Sequence, residues 1–360
     1  MTDQADHQRI LLIKPSSLGD VVHALPVLHG LRERFPSAHI AWLISTACAP
    51  LIRHHPELNE VIEFDRRRFG RIGRSMHVSR QFARFVSDLR AKEFDLAIDL
   101  QGLFRSGFLT LASRASMRIG FRSARELAWI FYTHEIDTPD PELHAVDKNY
   151  RIASVLGFDH VPVTFNLAVT DAERQRAADL LGAAGVTSGE PFVAILPGAR
   201  GEAKRWLPER YTSVVSRLAV EHRVRTLLMG TRDEADLCAA IAANASAPRE
   251  LSPVNLAGRS GVREMVAILE RASVVVCQDS APAHIAAALG RPIVCILGPT
   301  NPRRTGPYAS HAYLLQADLP CVPCYLRSLT QCPHGHECMH QVDVDPVVRA
   351  TASWLEKVSG

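Results

Sequence analysis

Short apolar runs alternate with longer segments in which apolar residues recur at helical spacing, and this alternation persists along nearly the whole chain. The runs are ILLIK, HIAWLIS, NEVIEF and DLAIDL in the first half, then FVAILPG, VRTLLMG, PVNLAG, VVVCQD and PIVCILGP in the second. Segments 21–35 and 208–221 lie between such runs with apolar residues at the spacing of an amphipathic helix. Strand and helix in alternation predict the α/β class, with parallel sheets joined by crossover helices. The number of units suffices for two sheets, hence two Rossmann-like halves.

The strand series pauses at VTFNLAVTDAERQRAADLLGAAGVTSGEP, where Thr170 is placed to cap a helix ending at Gly182 or Gly185. The expected layout is therefore an N-terminal domain over 1–165, a linker with its own helix over 166–190, and a C-terminal domain over 191–343. A final helix over 344–360, with Asp345 as N-cap and Pro346 at N1, is expected to pack back on either domain.

The 360 residues exceed what one hydrophobic core usually serves, which agrees with two domains. A formal net charge of +3 is too even to announce a nucleic-acid binder, so an anionic partner must be met by local clusters. The N-terminal MTDQADHQ followed by four apolar residues matches no secretory signal, and no run approaches the roughly twenty apolar residues of a membrane span. A cytoplasmic protein, peripheral to a membrane at most, is expected.

Chemistry is concentrated where strands end. In ILLIKPSSLGDVVHALP a strand closes at Lys14, a turn of Ser16, Ser17 and Gly19 follows, and a helix begins near Asp20. Open α/β sheets bind ligands at such places, and a glycine there lets a substrate approach the backbone. Two roles stay open for Asp20 on this stretch alone: a helix cap, or a base.

Later, FVAILPGARGEAKRWLPERY delivers Arg200, Lys204 and Arg205 into a loop, a set suited to a diphosphate or to plain solvation. In SVVVCQDSAPAHIAAALGRPIVCILGPTNPRRTGPY a strand presents Asp279 and Ser280, and a helix starting at Ala281 leaves its first N–H groups for an anion. Gly298 and Thr300 lie in the next strand-end loop. His284, on a small-residue helix, reads as a core histidine or as part of this cradle.

Taken together, SSLGDVVHALP, PGARGEAKRWLPERY and DSAPAHIAAALGRPIVCILGPTNPRRTGPY resemble the hallmark segments of glycosyltransferase family 9, the ADP-heptose:lipopolysaccharide heptosyltransferases. DLAIDLQGLFRSG, GFRSARELAWIFYTHEI and HAVDKNYRIASVLG extend the likeness in the same order over almost the whole chain. The resemblance implies a GT-B fold whose two domains face a central cleft, acceptor on the first and nucleotide sugar on the second. It further implies inversion at the anomeric carbon, no catalytic metal, Asp20 as general base, Lys204 on the phosphates and Asp279 on the heptose hydroxyls. ADP-heptose and a lipid-linked Kdo/lipid A acceptor are the implied substrates, met at the cytoplasmic face of the inner membrane. Transfer to a protein or another glycan, or a fold that binds sugar nucleotides without catalysis, are the competing readings.

Two clusters complete the inventory. Arginines crowd DRRRFGRIGRSMHVSRQFARF, 65–85, and RSAR, 122–125, where an acceptor carboxylate or phosphate, an anionic membrane, or water alone would satisfy them. Cys321, Cys324, Cys332 and Cys338 follow a C-x2-C-x7-C-x5-C spacing, which leads to the expectation of a structural Zn or Fe site, against packed free thiols.

Overall fold

The computed structural model describes residues 6–70 and 73–359. Contacts divide the chain into two units, Met1–Ala168 and Val169–Gly360.

The first unit is built on β1 (Arg9–Ile13), β2 (His39–Ser45), β3 (Glu60–Phe64), β4 (Leu96–Asp99), β5 (Met117–Phe121) and β6 (His134–Ile136). They form one parallel sheet in the order β3-β2-β1-β4-β5-β6. The second unit repeats the plan with β7 (Phe192–Leu196), β8 (Arg225–Leu228), β9 (Val254–Asn255), β10 (Val274–Gln278), β11 (Ile293–Leu297) and β12 (Ala312–Gln316). Its order is β12-β11-β10-β7-β8-β9, again parallel throughout.

The central strands are apolar on both faces because helices cover both: Ile10 to Ile13, Val193 to Ile195 and Ile293 to Leu297 are fully buried. In both sheets the chain first winds outward from one inner strand and later returns beside it. The pairs β1/β4 and β7/β10 are therefore the switch points, where the strand-end loops diverge and leave a crevice. All strands being parallel, every βα turn of a unit opens on one edge of its sheet.

Three strands had no clear apolar run. β5 is interrupted by Arg118 and Gly120, β6 has three residues, and β12 is a half-exposed edge. Gly120 has a specific cause: a Cβ there would lie 2.2 Å from the Tyr132 ring, so the strand gives up a side chain to let that ring cross it.

The helix Asp171–Ala183 begins at a Thr170 cap and packs on the helix Val262–Arg271. It lies within the second unit. Its anchor is Glu173, 2% exposed, which accepts from Arg263 Nε at 2.7 Å and Nη2 at 2.6 Å. These bonds hold the Glu173 carboxyl down at about 2 against 4.5. A folded value below the unfolded one contributes stability above about pH 4.5 that is lost as pH falls toward 2. Glu173→Gln is expected to cost about 3 kcal/mol at pH 7, a difference that shrinks at pH 3 in matched denaturant titrations.

The C-terminal helix Val344–Ser359 places Asp345 and Pro346 within its first turn and not at N-cap and N1, and it packs on the second unit's β10, β11 and β12. Among the described residues no helix is long and apolar enough to cross a membrane.

Candidate active site

At the switch point of the first sheet, β1 and β4 are tied where they end. Leu100 N–H donates to the Ile13 carbonyl at 3.0 Å, and buried Lys14 Nζ donates to the Leu100 carbonyl at 2.7 Å. Beyond β1, Ser16 and Ser17 lead into the short helix Leu18–Val22, with Gly19 buried beneath. Asp20 Oδ2 accepts from Ser17 N–H at 2.7 Å and from Ser17 Oγ at 2.8 Å. The carboxylate therefore closes a capping box, while Asp20 itself remains partly exposed at the sheet edge. Cap and reactive group are compatible, because a carboxylate has lone pairs beyond the two these donors use.

The turn is held from behind by the HAVDKNY motif. Asn149 Nδ2 donates to the His23 carbonyl at 3.1 Å, and the His144 ring meets His23 edge-on at 5.4 Å.

Asp99, at the end of β4, is a residue that sequence reasoning quoted without a role. It is fully buried; Oδ1 accepts from Gln101 N–H at 2.8 Å and Gly102 N–H at 3.1 Å, and Tyr132 Oη donates to Oδ2 at 2.7 Å. Burial pushes its carboxyl up, against the pull of those bonds. Gly120 is its cross-strand neighbour, so the missing side chain noted above is what lets Tyr132 reach it. Gly102, at φ +64°, completes the tight turn into the helix Phe104–Ala112.

The second switch point gathers more of the expected residues. Gln278 Nε2 donates to the Pro197 carbonyl at 2.7 Å, joining the ends of β10 and β7. Lys204 Nζ lies 2.6 Å from Asp279 Oδ2, and His284 Nε2 is 3.7 Å from Oδ1. Asp279 is only 4% exposed while Lys204 is 28% exposed, so the carboxylate forms the floor and the ammonium faces outward. Ser280 caps the helix Ala281–Ala288 with its backbone, and its hydroxyl turns back to the Gln278 carbonyl at 3.3 Å. The first-turn N–H groups beginning at Ala281 thus carry no side-chain cap.

Arg200 is exposed. Arg205 donates to the Ala199 carbonyl at 2.9 Å and so shapes its loop. Thr300 is buried, its Oγ1 has no partner among the described residues, and its carbonyl accepts from Gln316 Nε2 at 2.7 Å. Gly298 is confined by Met339 Sδ, which a Cβ would meet at 2.9 Å.

That contact belongs to the cysteine segment, which braces the loops after β7 and β11. Ala203 N–H donates to the Arg327 carbonyl at 3.2 Å, His336 Nε2 donates to the Ala203 carbonyl at 2.8 Å, and Tyr325 N–H donates to the Pro299 carbonyl at 2.7 Å. Cys321, Cys324, Cys332 and Cys338 line one cavity of about 100 Å³ and are all free thiols. Among the described residues, however, no three His, Cys, Asp or Glu side chains are gathered so as to hold a metal ion. The Zn or Fe cage expected from the spacing is thus not assembled. Cys338 is buried on the short helix Glu337–His340, Cys321 and Cys332 are half-buried and Cys324 is exposed. Burial first, then the neighbouring thiols, push Cys338 up to about 11, the behaviour of a packed thiol.

Of the arginine stretches, Arg66, Arg67 and Arg68 lie exposed on a short helix capped by Asp65, and Arg122 is 3.3 Å from Glu135. Arg71 lies outside the described residues.

Two parallel six-stranded sheets, each with a switch point between its inner strands, are the architecture of the GT-B fold. The glycosyltransferase family 9 (heptosyltransferase) model matches residues 82–332, and the chain belongs to this family. It is 30% identical to lipopolysaccharide heptosyltransferase 1 of Pseudomonas aeruginosa over 90% of this chain and 88% of that one. It is 25% identical to the lipopolysaccharide core heptosyltransferase OpsX of Haemophilus influenzae, over 83% of this chain and 81% of the relative. In fold it is similar to the E. coli ADP-heptose LPS heptosyltransferase II, with a TM-score of 0.79 at 22% identity, over 98% of this chain and all of that one.

Proposed function

We propose that this glycosyltransferase moves a heptose from ADP-heptose to the Kdo or first-heptose region of a lipopolysaccharide inner core. The observation that carries the reading is the Lys204–Asp279 pair beneath an uncapped helix start, a ready cradle for a sugar diphosphate. The names of the relatives support heptose as the sugar and lipopolysaccharide as the acceptor.

The acceptor hydroxyl gives its proton to the Asp20 carboxylate as its oxygen bonds to the anomeric carbon. The bond from that carbon to the β-phosphate oxygen breaks, and its electron pair leaves with ADP. Attack opposite the leaving group inverts the anomeric centre. Lys204 and the N–H groups of the helix Ala281–Ala288 meet the charge that develops on the diphosphate, so no step requires a metal. Asp279 and His284 serve the heptose hydroxyls, while Thr300 Oγ1 and the backbone around Gly298 border the nucleotide. Ser16, Ser17 and Gly19 shape the acceptor approach, and Arg200 adds positive charge from its exposed loop. The acceptor being a lipid, the enzyme works at a membrane surface as a peripheral protein.

The experiment is transfer from ADP-heptose to Kdo2-lipid A and to its mono-heptosylated form. Product from one of them supports the reading and assigns the step, whereas consumption of another sugar nucleotide, or a protein acceptor, replaces it.

A further inference from the structure

The first unit carries an open apolar pocket at the same sheet edge as the Asp20 turn. It has a volume of about 250 Å³ and is lined by Phe64, Phe82, Phe104, Arg105 and Phe108. Phe64 is the last residue of β3, and Phe104 opens the helix that follows β4. Both strand ends share the carboxyl edge of the sheet with β1.

Phenylalanines at a helix start in contact with water need an explanation, and Phe104 is 49% exposed. The aromatic lining continues outward: the Phe108 ring lies 6.0 Å from Phe82 and 6.5 Å from Phe131, which in turn meets Phe104 at 5.3 Å. Beside Phe131 in the 3-10 helix Ala128–Phe131, Trp129 is 44% exposed and Ile130 52%. This is more exposed apolar surface than one ring.

One guanidinium lies in the pocket's lining: Arg105 is exposed, sits over the Phe64 ring at 6.0 Å and is in no ion pair among the described residues. Glu126 Oε2 accepts from the Phe104 N–H at 3.2 Å. An apolar slot with an unpaired guanidinium at its mouth complements an amphiphile with an anionic head and a hydrocarbon tail.

We propose that this pocket takes an acyl chain of the anionic glycolipid acceptor, with Arg105 at its mouth toward the head group. The inference rests on the lipid-acceptor reading above and extends it: the enzyme would recognise the lipid part of its acceptor as well as the sugar. Phe104→Ser and Arg105→Gln change exposed side chains and leave the core intact.

The expected result is a fall of about tenfold in the wild-type ratio of kcat/KM for acylated over deacylated acceptor in Phe104→Ser. Calorimetric titration with 1-palmitoyl-lysophosphatidylglycerol is expected to weaken by a similar factor in both variants. Lysophosphatidylcholine and glycerol phosphate are expected to bind wild type more weakly than this anionic single-chain lipid. Unchanged ratio and unchanged lipid affinity in the variants overturn the proposal, as does glycerol phosphate binding equal to that of the lipid. If neither acceptor is glycosylated while Phe104→Ser still loses the lipid, the transfer reading falls and the pocket's ligand class stands.

Discussion

Asp20→Asn is expected to lower kcat for heptose transfer by about a thousand-fold, the range that a positioned general base contributes, with little change in the KM for either substrate. Asparagine keeps an oxygen where Oδ2 now accepts from Ser17 N–H and Oγ, so the capping box survives. The melting temperature is expected to shift only slightly, since the lost charge at the helix start is worth about 0.5 kcal/mol. This pairing of readouts separates the observed capping role of the carboxylate from its proposed role as base. A variant that melts early and still turns over would make Asp20 a cap alone.

The second large effect concerns Lys204. Lys204→Met removes the charge-assisted contact proposed to the diphosphate, and ADP affinity is expected to fall by about 10- to 100-fold. The same substitution leaves Asp279, almost fully buried, without its ammonium partner, so stability is expected to drop by about 1–3 kcal/mol. Adding Asp279→Asn removes the orphaned charge. The double variant is expected to recover most of the stability and none of the ADP affinity, as read by thermal melts and calorimetry. Recovered affinity would mean that Lys204 serves only to neutralise Asp279.

These pairings could be read in part from the chain itself. Nine strands are legible as apolar runs, the central ones most clearly because a parallel strand covered on both faces is apolar at nearly every position. β5 is not, for a reason that lies in tertiary structure: Gly120 looks like a strand breaker until Tyr132 is seen crossing it toward Asp99. β12 is half exposed at an edge, where the apolar pattern has no second face to satisfy.

At the second switch point Lys204, Asp279 and His284 come together because the turns after β7 and β10 meet there. The Lys204–Asp279 ion pair was not foreseen, since each residue had been assigned to a different part of the donor. Asp99 and His336 were invisible as functional supports, one hidden inside a motif and the other acting through a carbonyl of the lysine loop. The cysteine spacing suggested a cage, yet spacing fixes only chain separation. The four thiols share the lining of one cavity, yet among the described residues no three candidate ligands are gathered to hold an ion. Cysteines count as ligands only when the backbone between them folds them toward one point.

The most direct measurement of the central claim is a single reaction: purified protein, ADP-heptose, and Kdo2-lipid A or its mono-heptosylated form, without added metal, followed by mass spectrometry of the lipid and by anomeric NMR of the product. The account predicts one heptose added to one of these acceptors, one ADP released per transfer, and an anomeric configuration opposite to that of the donor. ADP release without a glycosylated lipid, or a product that retains the donor's configuration, would contradict it.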